Sequence, residues 1–210
     1  MTERDIQYAS DVAFTPSVKE IQVRKGSRRG YERMETGGSW QTEITDDLRA
    51  FIETRPTAYL ATVNSDGQPY VQHRGGPPGF LKVLNNTTIG FADFSGNRQY
   101  ITQGNLVDNP KAFLFLMDYT YRQRVKIWGE AKVIENDPDL EARLKPADYD
   151  ARVEQAIVFT VTAWDANCPQ HIPRMIDESV VKQLLSEKER KISELEGKIA
   201  LLEAHTGPSK

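Results

Sequence analysis

The sequence is poor in cysteine and histidine, with one Cys, at position 168, and three His among 210 residues. A single thiol excludes an internal disulfide and favours a reducing compartment, so we expect a cytoplasmic protein. The three histidines offer no pair at the spacing of metal ligands, and we predict no metal site. The sequence also has no run of about 18 apolar residues and no charged-then-apolar start, which indicates neither a membrane span nor a signal peptide.

Positive charge is not in excess either, because 27 Lys and Arg stand against 30 Asp and Glu, for a formal net charge of −3. Binding to nucleic acid requires an excess of basic residues on one face, and we therefore expect no nucleic-acid partner. The apolar fraction of 39% is enough for the core of one domain, although some segments must be polar.

The chain divides by composition into three regions. Residues 1–43 are polar and basic and are predicted to form an N-terminal arm, laid across the body of the protein or across a partner subunit. Residues 44–174 carry the helix and strand signals of a folded domain. Residues 175–210 are predicted to form a C-terminal helix.

The central region begins with a helix and continues as strands. Thr45 is a good N-cap for that helix, and Pro56 prevents its continuation. Alternating apolar segments separated by hairpin turns then run to about residue 164, with short helices predicted near 97–104 and 138–153. At least six antiparallel strands with few helices predict a mainly β (α+β) fold, a six-stranded antiparallel barrel with peripheral helices.

Apolar residues of the C-terminal region recur at alternating spacings of four and three, as in a coiled coil. Six apolar positions follow this spacing, and Lys188 interrupts the series once: Val181, Leu185, Ile192, Leu195, Ile199 and Leu202. Two interpretations remain open. The helix packs on its own barrel, or it pairs with another chain.

Two neighbouring segments, 74–82 and 91–99, combine features of a phosphate site. Glycines at 75, 76 and 79 permit close approach of the backbone to a ligand. We expect a hairpin to bring Lys82 close to Asn97 and Arg98. A Gly-Asn-Arg turn at the start of a short helix offers backbone N–H groups and a guanidinium to an anion.

These segments resemble the pyridoxamine 5'-phosphate oxidase-like family of FMN-binding split barrels. In that family a strand ending in Val-Leu-Leu-Lys is followed, after a fixed interval, by the sequence Phe-Tyr-Thr-Asn-x-x-Ser-Arg-Lys. In this chain the corresponding strand end is residues 79–82, and residues 91–99 follow it at the same interval. Asn109-Pro110 and the segment 122–129 resemble motifs that occur further along the sequences of this family. The resemblance implies a homodimeric split barrel that holds FMN in a cleft between two subunits.

Carried over by position, the resemblance implies a set of flavin ligands. Lys82, Arg98 and Gln99 are expected to bind the phosphate, and Asn97 replaces a serine that does so. The remaining candidates are expected to contact the flavin through the backbone or from a neighbouring strand: Ala92, Asp93, Gln123 and Arg124. The family's first strand arginine falls on Pro77, and we expect Arg74 to substitute for it.

The chain departs from the vitamer-oxidising enzymes in lacking their C-terminal Arg-Leu-His. It has instead the segment 167–174, which resembles a related flavoprotein subgroup. His171 and Arg174 either project into the flavin pocket, to bind an anionic substrate or to act as acid–base partners, or belong to a rigid turn between barrel and helix. Cys168 has no assignable base, which favours inert packing over a nucleophilic role.

The resemblance favours an FMN-dependent oxidoreductase acting on a small-molecule substrate or reductant, neither of which the sequence identifies. No catalytic residue is predicted, because electrons would be carried by the flavin. The alternative is a non-catalytic flavin- or ligand-binding module that uses its C-terminal helix for assembly. Whether a deazaflavin replaces FMN stays open.

Overall fold

The structure, a computed structural model, describes residues 7–167, 169–176 and 178–205. The prediction for Cys168 therefore lies outside the described residues, as do residues 1–6 of the arm. After a 3-10 turn at Ala9–Val12, the described ranges hold these helices and strands in chain order: α1 (Pro16–Arg24), α2 (Arg28–Thr36), α3 (Asp46–Glu53), β1 (Thr57–Val63), β2 (Pro69–Gly75), β3 (Lys82–Asn85), β4 (Thr88–Phe94), α4 (Ile101–Asp108), β5 (Lys111–Asp118), β6 (Gln123–Ile134), α5 (Pro138–Leu144), β7 (Val153–Asn167) and α6 (Glu178–His205).

All strands belong to one antiparallel sheet in the order β2-β1-β5-β6-β7-β4-β3. The fold is thus α+β and mainly antiparallel, as expected, but it has seven strands and not six. The four-residue β3 adds the seventh by pairing with β4. Within the described ranges no ladder joins β2 to β3, so the hydrogen-bonded sheet ends at these two strands.

The core is formed by residues of the sheet together with residues of α3. Strand β1 alternates buried and half-buried residues, with Ala58 and Leu60 fully buried. Helix α3 adds Leu48 and Ile52 to the same cluster. Its N-cap is the predicted one, because Thr45 Oγ1 accepts a hydrogen bond from the backbone N–H of Leu48 at 3.2 Å.

Two short helices differ from their predicted bounds. Helix α4 starts at Ile101 rather than near residue 97, because Arg98 and Tyr100 adopt left-handed backbone conformations (φ 57° and 54°) that interrupt a helix. Helix α5 ends at Leu144 rather than near 153. Pro146 explains this end, since a proline disfavours helical geometry in the residue before it.

The N-terminal arm folds as a helical hairpin that packs on its own barrel. Lys19 of α1 lies 3.7 Å from Glu35 of α2 and so joins the two helices, while Lys19 also pairs with Asp11 at 2.6 Å and Arg28 pairs with Glu35. Beyond the two helices, the Trp40 ring stacks on Trp128 of β6 with centroids 4.8 Å apart. These contacts correspond to the first of the two interpretations of the arm, in which it crosses the body of the protein.

The chain forms two compact units, Met1–Asp118 with Gln123–Gln170, and Tyr119–Arg122 with His171–Lys210. In the second unit, Thr120 Oγ1 donates a hydrogen bond to the Met175 carbonyl oxygen at 3.1 Å. Its long helix α6 carries the predicted apolar stripe. In the described ranges, no helix has both the length and the apolar character that crossing a bilayer requires.

Candidate functional site

A polar pocket of about 190 Å³ lies where β2 and β4 approach each other without pairing. Its walls come from β2, β4, the segment 95–100, the first turn of α4 and the start of β7. The residues lining it are Tyr70, Gln72, Arg74, Asp93, Phe94, Gly96, Asn97, Arg98, Gln99, Tyr100, Ile101, Thr102, Gln103, Glu154 and Gln155. The structure thus gathers Arg74, Asp93, Asn97, Arg98 and Gln99 from the sequence-based set.

Arg74 bridges the split between the strands by a salt bridge to Asp93 of β4. Both side chains are 13% exposed, and the second carboxylate oxygen of Asp93 accepts a hydrogen bond from Gln155 Nε2 at 2.9 Å. The Nε atom of Arg74 is buried and has no hydrogen-bond partner among the described residues. A buried donor without an acceptor is rare in folded proteins, and here it lies at the wall of the pocket.

The segment 95–100 supplies the exposed basic group of the pocket. Arg98 is exposed and, within the part of the chain that the structure describes, forms no salt bridge and donates no hydrogen bond. Asn97 Oδ1 accepts a hydrogen bond from the backbone N–H of Gln99 at 3.2 Å, which tightens the turn. The predicted Gly-Asn-Arg turn therefore exists, although it precedes the helix and does not begin it.

Helix α4 directs its first turn to the pocket, since Ile101, Thr102 and Gln103 all line it. The N–H groups of a first turn have no intrahelical acceptor and carry the positive end of the helix dipole. Thr102 Oγ1 donates a hydrogen bond to Gln72 Oε1 at 3.0 Å, which ties this turn to β2. The arrangement suits an anion such as a phosphate.

Two carboxylates oppose the two arginines among the lining residues. Asp93 is engaged by Arg74, and Glu154 accepts a hydrogen bond from the hydroxyl of Tyr100 at 2.7 Å. That hydrogen bond to a carboxylate raises the pKa of the Tyr100 phenol above its usual 10.0. Arg98 is consequently the charge in the pocket that remains available to a ligand.

Sequence reasoning missed several lining residues, among them Gln72, Tyr100, Thr102, Glu154 and Gln155. Gln72 could have been predicted from the sequence, because Tyr70, Gln72 and Arg74 alternate along β2 and so share one face of the strand. The others come from α4, the residue before it and the start of β7, whose approach to β2 depends on the sheet order. No local pattern indicates that approach.

Lys82 lies elsewhere, in a recess of about 460 Å³ lined also by Glu53 and Arg143. Its Nζ donates a hydrogen bond to the Arg143 carbonyl oxygen at 2.7 Å. The expected approach of Lys82 to Asn97 and Arg98 does not occur, because Lys82 pairs with Gly90 early in β4, whereas the segment 95–100 follows the end of that strand.

Ala92 and Gly76 both have close packing contacts. Ala92 is buried in a small cluster with Leu144 and Ala156. A Cβ on Gly76 would lie 2.7 Å from the Cβ of Phe80, which explains a glycine there without any ligand. The predicted close approach to a ligand at 75, 76 and 79 thus has a packing explanation at Gly76.

Gln123 and Arg124 do not line this pocket in their own chain. Arg124 pairs with Asn167 at the end of β7, whereas the pocket contains Gln155 near the start of that strand. The Nε atom of Arg124 is also buried, again without a hydrogen-bond partner in the described ranges.

His171 and Arg174 belong to the second unit, and both are exposed. His171 adopts a left-handed backbone conformation with φ 62°. Within the described ranges, no group of three or more His, Cys, Asp or Glu side chains is placed to hold a metal ion.

Comparison with known proteins gives one family. The profile described as Pyridoxamine 5'-phosphate oxidase matches residues 44–172, more than half of the chain. No curated protein matches the chain.

Several solved structures are similar at low identity. HupZ from Group A Streptococcus is 21% identical, with 56% of this chain and 89% of that chain covered and a TM-score of 0.46. An FMN-binding protein from Syntrophomonas wolfei is 13% identical (70% and 97% covered, TM-score 0.46). A structure described as F420 Reductase is 18% identical (57% and 94% covered, TM-score 0.39). Likeness at this level does not identify what this chain binds.

Proposed function

The chain belongs to the pyridoxamine 5'-phosphate oxidase family, and on that premise we propose that it is an FMN-dependent oxidoreductase. The phosphate of the flavin would be held by Arg98 and the first turn of α4. The observation that carries this proposal is an exposed guanidinium without a salt bridge in the described ranges, beside the unsatisfied N–H groups of a helix N-terminus, in one pocket. Charge-assisted hydrogen bonds from such groups are the usual anchors of phosphate.

The size of the pocket supports a site shared between two copies. At about 190 Å³ it is smaller than the roughly 300–1,000 Å³ of typical ligand sites, so one chain accommodates the phosphate end of the nucleotide only. A second copy would supply Gln123 and Arg124, which do not line the pocket of their own chain. The proposed unit of function is a homodimer.

The residues of the pocket suit electron transfer better than hydrolysis. Both lining carboxylates have partners, Asp93 in Arg74 and Glu154 in Tyr100, so neither is available as a general base. Bound FMN would supply the transfer of hydride or single electrons. The protein's part is to anchor the phosphate, to orient the ring and to limit access of water.

An acidic recess beside the pocket disfavours a phosphorylated vitamer as the substrate. It has a volume of about 780 Å³, shares Tyr100 and Glu154 with the pocket, and is also lined by Glu135 and Glu141. Like charges repel more strongly in a recess than in open water. We therefore expect a neutral or cationic substrate or reductant, which agrees with the missing Arg-Leu-His.

The test is flavin binding by the purified protein, read from its visible spectrum and from titration with FMN. Arg98→Ala is expected to lower FMN affinity about 10- to 150-fold, the scale of one charge-assisted hydrogen bond. Lys82→Ala is the matched control, because it removes a cation from the other recess and should leave affinity within about twofold of wild type. Unchanged affinity in Arg98→Ala, or no binding of FMN by the wild type, contradicts the proposal.

A non-catalytic flavin-binding module is the second candidate, and the full engagement of Asp93 and Glu154 favours it. Turnover separates the two. Flavin that binds but is not reduced by NADH, NADPH or a reduced deazaflavin indicates a binding module. Binding of a deazaflavin in preference to FMN would change the cofactor and leave the phosphate site as proposed.

A further inference from the structure

Helix α6 carries a heptad stripe whose apolar side chains are open to solvent. With Leu185, Ile192 and Ile199 at the a positions, the d positions are Val181, Lys188, Leu195 and Leu202. The three a side chains are 54–57% exposed. Three large apolar side chains on one face of a long helix indicate a surface that another helix covers.

The charges that flank this stripe favour a parallel over an antiparallel arrangement of two identical helices. Glu189 and Glu196 occupy e positions, and Lys191 and Lys198 occupy g positions. In a parallel, in-register pair of identical helices, each g residue faces the e residue of the next heptad on the other helix, which places Lys191 opposite Glu196. In an antiparallel pair, g faces g and e faces e, so that Lys meets Lys and Glu meets Glu.

We propose that α6 pairs with the α6 of a second copy as a parallel, in-register, two-stranded coiled coil. The last two heptads agree with this number of strands, because they have Ile192 and Ile199 at a and Leu195 and Leu202 at d, a combination that favours dimers. Lys188 at a single d position weakens the pair but disfavours shifted registers, in which it would face Val181 or Leu195. Neither argument depends on flavin binding.

The lysines that would bridge the two helices are only weakly engaged in the single chain. Lys191 and Lys198 pair with Glu194 of their own helix, at 2.9 and 2.6 Å, and all three side chains are about half exposed or more. Exposed pairs of this kind contribute little. Little free energy is therefore lost when Lys191 exchanges Glu194 of its own helix for Glu196 of the second copy.

Disulfide formation between copies of the full-length protein tests the arrangement. In a Cys168→Ser background, Ile199→Cys places a thiol at an a position, where a parallel in-register pair brings the two identical positions together. Ser193→Cys is the control, because it lies on the outer face of the same helix at a b position. We expect Ile199→Cys to form the intermolecular disulfide at least tenfold faster than the control.

Equal rates for the two cysteines, or no disulfide at position 199, would overturn the proposal. These are also the results expected if α6 packs on its own barrel. Charge reversal supplies a second measurement in the Ile199→Cys protein. Lys191→Glu should slow the disulfide about fivefold or more, whereas Arg190→Glu, the same charge change on the outer face, should not. Equal effects of the two reversals would contradict the predicted pairing of Lys191 with Glu196.

Flavin titration of the same variants keeps this inference separate from the proposed function. If the coiled coil exists but the flavin site does not, the disulfide forms and FMN fails to bind. If the flavin site exists without the coiled coil, FMN binds and position 199 stays reduced.

Discussion

The salt bridge between Arg74 and Asp93 joins β2 to β4 across the split, and its removal should be costly. Arg74→Met keeps the length and apolar stem of the side chain but removes the charge. Asp93 would then stay in a site where its side chain is only 13% exposed, with Gln155 Nε2 as its remaining donor. Leaving one member of a buried ion pair without its partner costs about 2–4 kcal/mol.

The cost arises mainly from the carboxylate that is left behind, so removing it as well should restore part of the stability. We expect the double variant Arg74→Met/Asp93→Leu to be more stable than Arg74→Met alone, with a coupling energy of about 1.5–3 kcal/mol. Arg98→Met is the control for loss of a cation from the same pocket. Since Arg98 is exposed and has no salt-bridge partner among the described residues, its replacement should change stability by less than about 0.5 kcal/mol.

Equilibrium unfolding in urea, with tryptophan fluorescence and circular dichroism as independent probes, measures these differences. Two results would refute the reasoning. One is a cost for Arg74→Met no larger than that for Arg98→Met. The other is additivity of the two single substitutions, which would mean that the pair is not coupled across the split.

Two further outcomes concern the arm and the sheet. Burial alone would raise the pKa of Asp11, but hydrogen bonds from Lys19 and from the backbone N–H groups of Tyr8 and Gln7 hold it below its ordinary 3.8. The stability that this provides is present above that value and is lost as pH falls below it, so acid should change Trp40 fluorescence in the wild type and less so in Asp11→Asn. Gly129→Ala should destabilise by at least about 2 kcal/mol, because its Cβ would lie 2.0 Å from the Thr160 carbonyl oxygen. Gly104→Ala, in α4 with no described atom within 4 Å of the new Cβ, should instead stabilise by about 0.5–1 kcal/mol. Thermal unfolding of both glycine variants measures this contrast, and equal effects would contradict it.

Local chemistry determined much of the fold. The N-cap at Thr45, the stop at Pro56 and the alternation in β1 each act through bonds or contacts within a few residues, so the sequence predicts them. The bounds of α4 were harder to predict. Left-handed backbone geometry at Arg98 and Tyr100 is unusual for these residue types, and no local sequence pattern predicts it.

The candidate site was predicted in part. Arg74, Asp93, Asn97, Arg98 and Gln99 meet in one pocket, whereas Lys82 lies in another. A resemblance in spacing places residues along the chain, but it does not say which strands become neighbours.

The sequence by itself determined helix α3, most of the strand segments, the heptad pattern of α6 and the family, because each is recorded in residue order. Only the tertiary structure decided that Arg74 is neutralised by Asp93 and that Arg98, among the described residues, keeps a charge without a salt bridge. It also left Gln123 and Arg124 outside the lining of the polar pocket. The physical reason is that charge and distance in a site depend on the order of strands, which is set by packing between residues far apart in the chain.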